Sequence, residues 1–341
     1  MKALVLILIL LSWLGSHAQY AVQPDTIKPL YTDKHLESFL DSIGHLSSSE
    51  EWVEKATAYP DSFFKNQQQV KWSINDNDFE KLKTACRTRQ IDTTLAKIIF
   101  KDLQIDSSKH YGDSMDITFF PFDKDSFDFN NYAICIGSPN ALEYCELYFF
   151  KSNVCISKHI ILHHYGLELN HYIDTDGKTI VYYKFIYTHG SGIWWFNFYF
   201  YKYYNNQLLP VLDELQNANL NGWNKHNLWL ESTVVKTNPL TLKMLYNQQL
   251  IDYNGIPSTI INDSTLVTYS WNETSKSLKG NYVNSKISKE QILSYYLTAN
   301  DLHFIHAYYK VLKAALNNPI KHRAVALYLS EVKEQYNHSE K

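Results

Sequence analysis

The residues Trp194–Tyr204, WWFNFYFYKYY, put nine aromatic side chains into eleven positions. This run is too short for a transmembrane helix, which takes about 20 apolar residues, and Asn197 and Lys202 interrupt it. Aromatic residues favour β-strands, in which successive side chains point to opposite faces of the sheet. The run therefore predicts a strand, and its function depends on what each of its two faces contacts.

Similar runs, rich in Tyr and Phe and bounded by polar turns, continue through residues 115–283. Their short connections favour antiparallel hairpins over βαβ units. On either side of them the apolar residues recur with a helical period, as in Leu36, Phe39, Leu40 and Ile43. We therefore predict an α+β fold, with a central antiparallel β-sheet of meander hairpins flanked by N-terminal and C-terminal helical segments.

The pattern divides the chain into four regions. Residues 210–220, PVLDELQNANL, are interpreted as a short helix or turn inside the β region. Ser288 and Gln291 have the form of a capping box near the start of the last region. The regions are 1–18, a signal peptide; 19–110, an N-terminal helical region; 111–286, an antiparallel β region; and 287–341, a C-terminal helical hairpin.

The N-terminus has the features of an export signal. Lys2 precedes the apolar run ALVLILILLSWL, and the small residues Ser16 and Ala18 come just before Gln19. This order predicts a signal peptide cleaved after Ala18. We expect an exported protein, periplasmic or secreted, with no transmembrane segment after cleavage. In a host that glycosylates exported proteins, the sequons are acceptors; they begin at Asn262, Asn272 and Asn337.

The charge balance argues against nucleic acid as a partner. The formal net charge is −3 at pH 7, and 32 Lys and Arg residues face 35 Asp and Glu residues. Proteins that bind nucleic acid usually carry a clustered basic surface and a high isoelectric point. We therefore expect no nucleic-acid partner.

Two turns predict the pairing of the strands around the aromatic run. Asp176-Gly177 between alternating segments is typical of a two-residue hairpin turn, and HGSG at 189–192 is interpreted as a four-residue loop. The second loop would place Lys184 opposite Asn197 and, two positions further, Tyr182 opposite Tyr199. A slip of one residue would exchange the two faces.

In this register, one face is nearly all hydrocarbon and the other combines aromatic rings with polar groups. Such a face can stack on a ligand and hydrogen-bond it, and Trp223 in a Gly- and Asn-rich loop could close it as a lid. The alternative is ordinary cross-strand aromatic packing beneath a helix or loop. The predicted ligand-binding residues are His171, Tyr182, Lys184, Trp195, Asn197, Tyr199 and Trp223.

The cysteines Cys86, Cys135, Cys145 and Cys155 are too few and too widely spaced for a disulfide scaffold. A hairpin turning at 139–141 would place Cys135 opposite Cys145. Opposed Cβ atoms are about 4.5–5.5 Å apart, close to disulfide spacing. We therefore predict that these two are neighbours, as a disulfide or as a buried thiol pair.

The sequence contains few signs of catalytic chemistry. His159, His163 and His171 permit either a metal site or unrelated cross-strand histidines, and the second interpretation is favoured because no carboxylate lies at ligand spacing among them. Neither the H-E-x-x-H nor the G-x-S-x-G motif is present. We expect no cofactor and no metal.

Two function classes follow. The favoured one is an exported non-catalytic protein that binds a ligand or a protein partner at the cell envelope or outside the cell. The alternative is an exported hydrolase whose active-site residues are dispersed along the chain.

Overall fold

The computed structural model describes residues 28–45, 68–101, 103, 110–123, 129–136, 143–163, 167–188, 194–219, 226–251, 257–281 and 301–339. The predicted signal peptide, the HGSG loop, the capping box at Ser288 and the predicted lid residue Trp223 lie outside the described residues. The side chain of Trp195 also lies outside them, although its strand backbone is described.

The described residues form an α+β fold, as predicted, with helices toward both ends of the chain. The helices are α1 Asp33–Gly44, α2 Asp76–Thr88, α3 Thr93–Ile99, α4 Asp301–Ala307, α5 Tyr309–Leu316 and α6 His322–Ser339. The strands are β1 Gln68–Ser73, β2 Gln90–Asp92, β3 His110–Tyr111, β4 Ser114–Pro121, β5 Asn131–Ile136, β6 Glu143–Lys151, β7 Val154–His163, β8 Asn170–Ile173, β9 Thr179–Thr188, β10 Trp194–Tyr204, β11 Gln207–Asn219, β12 His226–Thr237, β13 Leu240–Ile251, β14 Pro257–Asn272 and β15 Ser277–Asn281.

The strands form two antiparallel sheets where the sequence predicted one central sheet. Sheet I has the order β1-β7-β6-β5-β4-β2, with β3 also pairing β4. Sheet II has the order β15-β14-β13-β12-β11-β10-β9-β8, so its strands are neighbours in space in the order of the chain. The alternation of apolar and polar residues identifies strands, but it does not show where one sheet ends and the next begins. That place is the connection between β7 and β8.

The two sheets pack face to face through a largely aromatic core. Sheet I contributes Leu147 and Phe149, and sheet II contributes Tyr183, Tyr199 and Tyr201. All five side chains are fully buried. Aromatic rings bury large areas and pack well in edge-to-face or offset pairs. Trp194–Tyr204 is therefore a core strand, and the ring-bearing side chains of both sheets hold the sandwich together.

Helices cover the outer faces of both sheets. Helices α2 and α3 pack on sheet I, whereas α1 packs with α4, α5 and α6 on sheet II. The result is four layers in the order helix, sheet, sheet, helix. The helices of region 19–110 therefore lie on opposite sides of the molecule. No helix among the described residues is long and apolar enough to cross a membrane.

Residues 210–219 of the segment interpreted as a short helix or turn belong to strand β11, so that prediction is wrong. It pairs with β10 along its length, and its register shifts twice, between Phe196 and Asn197 and between Phe200 and Tyr201. Each bulge inserts an extra residue and interrupts the alternation by which a strand is recognised. Pro210 pairs with Tyr201 at one of these shifts, where a residue without an N–H is tolerated.

The predicted register of β8, β9 and β10 is also wrong, by one residue at each hairpin. Tyr199 pairs with Tyr183 instead of Tyr182. In the first hairpin the loop is longer than predicted: Gly177 donates its N–H to the carbonyl of Asp174 over 2.9 Å and has φ of +78°. This is a type I turn followed by a left-handed glycine, which makes a three-residue loop.

The predicted alignment of Cys135 with Cys145 is wrong by two residues. Cys135 pairs with Leu147, and Cys145 pairs with Ile161. Both cysteines belong to the core between the sheets, and all four cysteines of the chain are buried as reduced thiols. The described pair nearest the end of this hairpin is Ile136 with Glu146, so the two strands are offset by two residues from the predicted alignment.

Candidate functional site

The register shift divides the predicted ligand-binding residues between two faces. Asn197 and Tyr199 point into the core between the sheets and are 1% and 0% exposed. Tyr182 lies on the opposite face of sheet II, where it stacks on Phe200 with 4.7 Å between ring centroids. The predicted face that combines aromatic rings with polar groups therefore does not exist as one surface.

The two remaining described members of that set lie near the edge of sheet II. Lys184 forms an ion pair with the exposed Glu168 over 2.9 Å. His171, on the edge strand β8, is exposed and contacts the ring of Phe122, with 5.4 Å between centroids. Partial burial lowers the pKa of His171, against the opposing effect of Asp123. Neither residue is brought together with Asn197 and Tyr199 at a common opening.

The core between the sheets contains a chain of polar groups. Ser157 Oγ lies 2.9 Å from His159 Nε2, and His159 Nδ1 lies 3.1 Å from the hydroxyl of Tyr183. That hydroxyl lies 3.0 Å from the hydroxyl of Tyr201. The four groups satisfy one another in a medium where an unpaired polar group is costly.

Ser157 and His159 have the separation of a nucleophile and its base, but both residues are 0% exposed. Burial lowers the pKa of His159 to about 3, so its imidazole is neutral near pH 7. A nucleophile acts only where a substrate carbonyl can reach it. This pair therefore stabilises the contact between the sheets.

The histidines and cysteines do not gather into a metal site within the described residues, where no group of three His, Cys, Asp or Glu side chains is suited to hold an ion. Burial raises the pKa of the Cys86 thiol to about 12 and raises that of Cys155 still further. Both thiols are therefore protonated near neutral pH.

A cleft of about 510 Å³ opens at one end of the sandwich, where several reverse turns of the two sheets meet. We call this part of the molecule the turn end. Sheet I contributes the first residue of β5 and the last of β6, and sheet II contributes the turns before β9 and after β10. The lining residues are Asn131, Lys151, Gly177, Lys178, Thr179, Tyr203, Asn205 and Asn206.

Left-handed backbone conformations shape this cleft. Asn205 and Asn206 have φ of 47° and 63°, and Ser152, in the turn beside Lys151, has φ of 51°. Tyr204 pairs with Gln207 across the first of these turns, so Asn205 and Asn206 form a two-residue hairpin loop. Asparagine adopts positive φ more readily than other residues with side chains. The turn therefore needs no glycine and presents two amide groups to the cleft.

The ammonium groups of the cleft have different partners. Lys151 Nζ donates to Asn206 Oδ1 over 2.7 Å. Lys178 Nζ lies 3.2 Å from a carboxylate oxygen of Asp176 and 4.1 Å from the centroid of the Tyr204 ring. Lys178 is thus held by an anion and an aromatic face, whereas Lys151 is held by a neutral amide.

A buried ion cluster fixes the turn that carries Lys178. Lys202 is fully buried, and its ammonium lies 2.6 Å from Asp174 and 2.9 Å from Asp176. The ring of Trp271 lies 4.1 Å from the same ammonium. Since a buried charge is tolerated only when it is paired, these contacts fix the 174–178 turn against β10. Lys202 is therefore a positioning residue for one wall of the cleft.

The sequence analysis did not identify the cleft residues. The sequence did contain a signal for one turn of the cleft, because Asn205-Asn206 between two strands is typical of a two-residue hairpin turn. Nothing in the sequence indicated that this turn would meet the turn beside Lys151, which belongs to the other sheet. Comparisons with protein-family models, with curated proteins and with solved structures find no match.

Proposed function

We propose that this protein is an exported, non-catalytic binding protein that holds a small polar ligand in the cleft at the turn end. The observation that carries the proposal is the lining of the cleft, in which two ammonium groups and three side-chain amides converge without a carboxylate. Small-molecule sites typically have volumes of about 300–1,000 Å³ and a few converging polar groups.

The position of the cleft supports the same function. Turns clustered at one end of a rigid two-sheet scaffold are a common place for binding residues, because the scaffold fixes the turns while their side chains face outward. Here Tyr203, under the cleft, donates its buried hydroxyl to the carbonyl of Tyr132 over 3.1 Å. This contact joins sheet II to sheet I, so the two walls of the cleft are held at a fixed separation.

The hydrolase alternative has less support. The nucleophile–base geometry between Ser157 and His159 lies in the core, where both side chains are fully buried. A hydrolase would require an accessible pair at the cleft, and its lining contains no carboxylate, histidine or cysteine. Release of product from ester, amide or glycoside substrates by the purified chain would favour the alternative.

The proposed function is tested by a thermal-shift screen of sugars, amino acids, carboxylic acids and phosphorylated metabolites. Compounds that raise the melting temperature are then titrated by calorimetry into the wild type, Lys178→Met and Lys243→Met. Lys243 is exposed on β13, does not line the cleft, and serves as the control. We expect binding to weaken in Lys178→Met only. A screen without hits, or hits that bind Lys178→Met as well as wild type, would contradict the proposal.

Export rests on the N-terminal residues, from Lys2 to the small residues before Gln19. Mass spectrometry of the protein from its native host tests it directly: the proposal predicts a mature chain beginning at Gln19. A chain that retains Met1 would contradict export by cleavage.

A further inference from the structure

Lys151 stands apart from the other lysines around the cleft. Lys178 and Lys202 both contact Asp176, and Lys202 also contacts Asp174. The one hydrogen bond of the Lys151 ammonium within the described residues goes to the neutral amide of Asn206. The residue is exposed, and its charge is not balanced by an ion pair in the part of the chain that the structure describes.

Three carboxylates beside residues of the cleft are already engaged. Asp176, next to Gly177, pairs with Lys178 and Lys202. Asp123 accepts the backbone N–H of Asn131 over 2.9 Å. Asp174 accepts the backbone N–H of Thr175 over 2.8 Å in addition to the Lys202 ammonium. None of them belongs to the lining. An anion entering the cleft would therefore meet ammonium and amide groups first.

The neutral part of the lining favours a ligand with hydroxyl groups. A side-chain amide both donates and accepts hydrogen bonds, as a sugar hydroxyl does. Asn131 Nδ2 is 3.5 Å from Thr179 Oγ1, and Asn131 Oδ1 is buried beneath the cleft without a hydrogen-bond partner among the described residues. The amides of Asn205 and Asn206 face the same space.

The cleft offers little to a nucleobase or another flat apolar group. Its aromatic lining residue, Tyr203, is 6% exposed, and the neighbouring ring of Tyr204 is contacted by Lys178 and Lys276. Stacking on accessible aromatic rings is how proteins usually hold bases. A volume of about 510 Å³ suits one or two sugar rings.

We infer that the ligand of this cleft is a sugar acid, a uronic acid in particular, whose carboxylate binds Lys151 and whose hydroxyls bind the surrounding amides. This inference rests on the proposed function and adds the class of ligand. A carboxylate beside Lys151 would gain an ion pair without displacing a protein carboxylate. Neutral sugars would leave the ammonium with its amide partner alone.

The test compares two sugars that differ in one group. The first sugar is the methyl glycoside of galacturonic acid, which has a free carboxylate and is called methyl galacturonate below; the second is methyl galactoside. Each is titrated by calorimetry into the full chain at low ionic strength. We expect the acid to bind at least about tenfold more tightly, a difference of about 1.4 kcal/mol. Its affinity should fall as salt is added, because exposed charges are screened.

Three variants assign the effect to the cleft. Lys151→Met keeps most of the unbranched side chain, removes the charge and should weaken binding of the acid about tenfold, with an unchanged unfolding midpoint. Lys151→Arg should keep most of the affinity, and Lys243→Met should bind as the wild type does. The inference is overturned if the two sugars bind equally, if neither binds, or if Lys151→Met binds the acid normally. In each of these cases, the proposed function would still hold if another ligand bound the wild type and did not bind Lys178→Met.

Discussion

The core between the sheets and the turn end both contain polar side chains, but the two regions use them for different purposes. In the core, polar groups such as Ser157, His159 and Tyr183 pair with one another and are wholly buried. At the turn end, Lys151 and the amides of Asn205 and Asn206 face an open cleft. Residue type alone therefore does not identify a site. What distinguishes the two regions is whether polar groups are satisfied within the protein.

The largest expected effect comes from emptying the core. Tyr201→Ala removes a ring that stacks on Tyr183 with 5.6 Å between centroids and lies 4.6 Å from the ring of His159. We expect a loss of about 3–5 kcal/mol in the free energy of unfolding, as for other large aromatic truncations. Urea denaturation measures it.

The matched control for this change is Tyr204→Ala, three residues along the same strand at the turn end. Tyr204 is half-buried and bonds the exposed Glu273, so it should cost about 1 kcal/mol or less. Equal losses in the two variants would contradict the distinction between the regions.

A loss at the lower end of the same range is expected where a buried charge supports the turn end. Lys202→Met leaves Asp174, 6% exposed, without its ion-pair partner. Removing one member of a buried pair typically costs about 3 kcal/mol or more. The double variant Lys202→Met/Asp174→Asn should recover part of that loss, because no unpaired buried charge remains. Lys151→Met, at an exposed site, should change the unfolding free energy by less than about 0.5 kcal/mol. A Lys202→Met protein with the unfolding free energy of the wild type would contradict the role of Lys202 as a positioning residue.

Acid should weaken the core through His159. The pKa of His159 is lowered by burial from 6.5 to about 3, so the unfolded chain takes up this proton first. Stability from this group is complete above about pH 6.5 and falls by about 1.4 kcal/mol per pH unit between pH 6.5 and 3. His159→Gln should flatten that slope in denaturation curves across this range. An unchanged slope would show that His159 is not buried as a neutral ring.

The smallest stability effect is expected at the turn itself. Asn206→Gly keeps a residue suited to φ of 63° but removes the acceptor of the Lys151 ammonium. The unfolding free energy should stay within about 0.5 kcal/mol, while calorimetry should show weaker ligand binding. A large loss of stability with unchanged binding would reverse the roles that we assign to core and turn end.

Much of the fold could be predicted from local sequence patterns. The aromatic run matches strand β10 at both ends, and the stripe from Leu36 to Ile43 is the buried face of α1. These predictions use periodicity, which depends on a residue's immediate neighbours. Local patterns do not decide burial everywhere: in the short helix α3, Ile99 is buried but its neighbour Ile98 is 54% exposed. A short helix at the margin of a core leaves some of its apolar residues in solvent.

The candidate site could not be predicted because it depends on register and on pairing between distant segments. A difference of one residue in the pairing of β9 with β10 moved Tyr199 from the predicted binding face into the core. Likewise, Lys151 and Asn206 are far apart in sequence, and their contact requires sheet I to pack on sheet II. Local patterns contain no information on that packing.

The central claim, that the turn end binds the ligand, is tested most directly by NMR of the protein labelled with ¹⁵N-lysine. Methyl galacturonate is added, and the backbone amide signals of Lys151, Lys178, Lys184 and Lys243 are followed. Lys184 represents the binding face that the sequence predicted, and Lys243 represents an exposed position that does not line the cleft. We predict saturating shifts at Lys151 and Lys178, with Lys184 and Lys243 unchanged. Shifts at Lys184 without shifts at Lys151 would contradict the account.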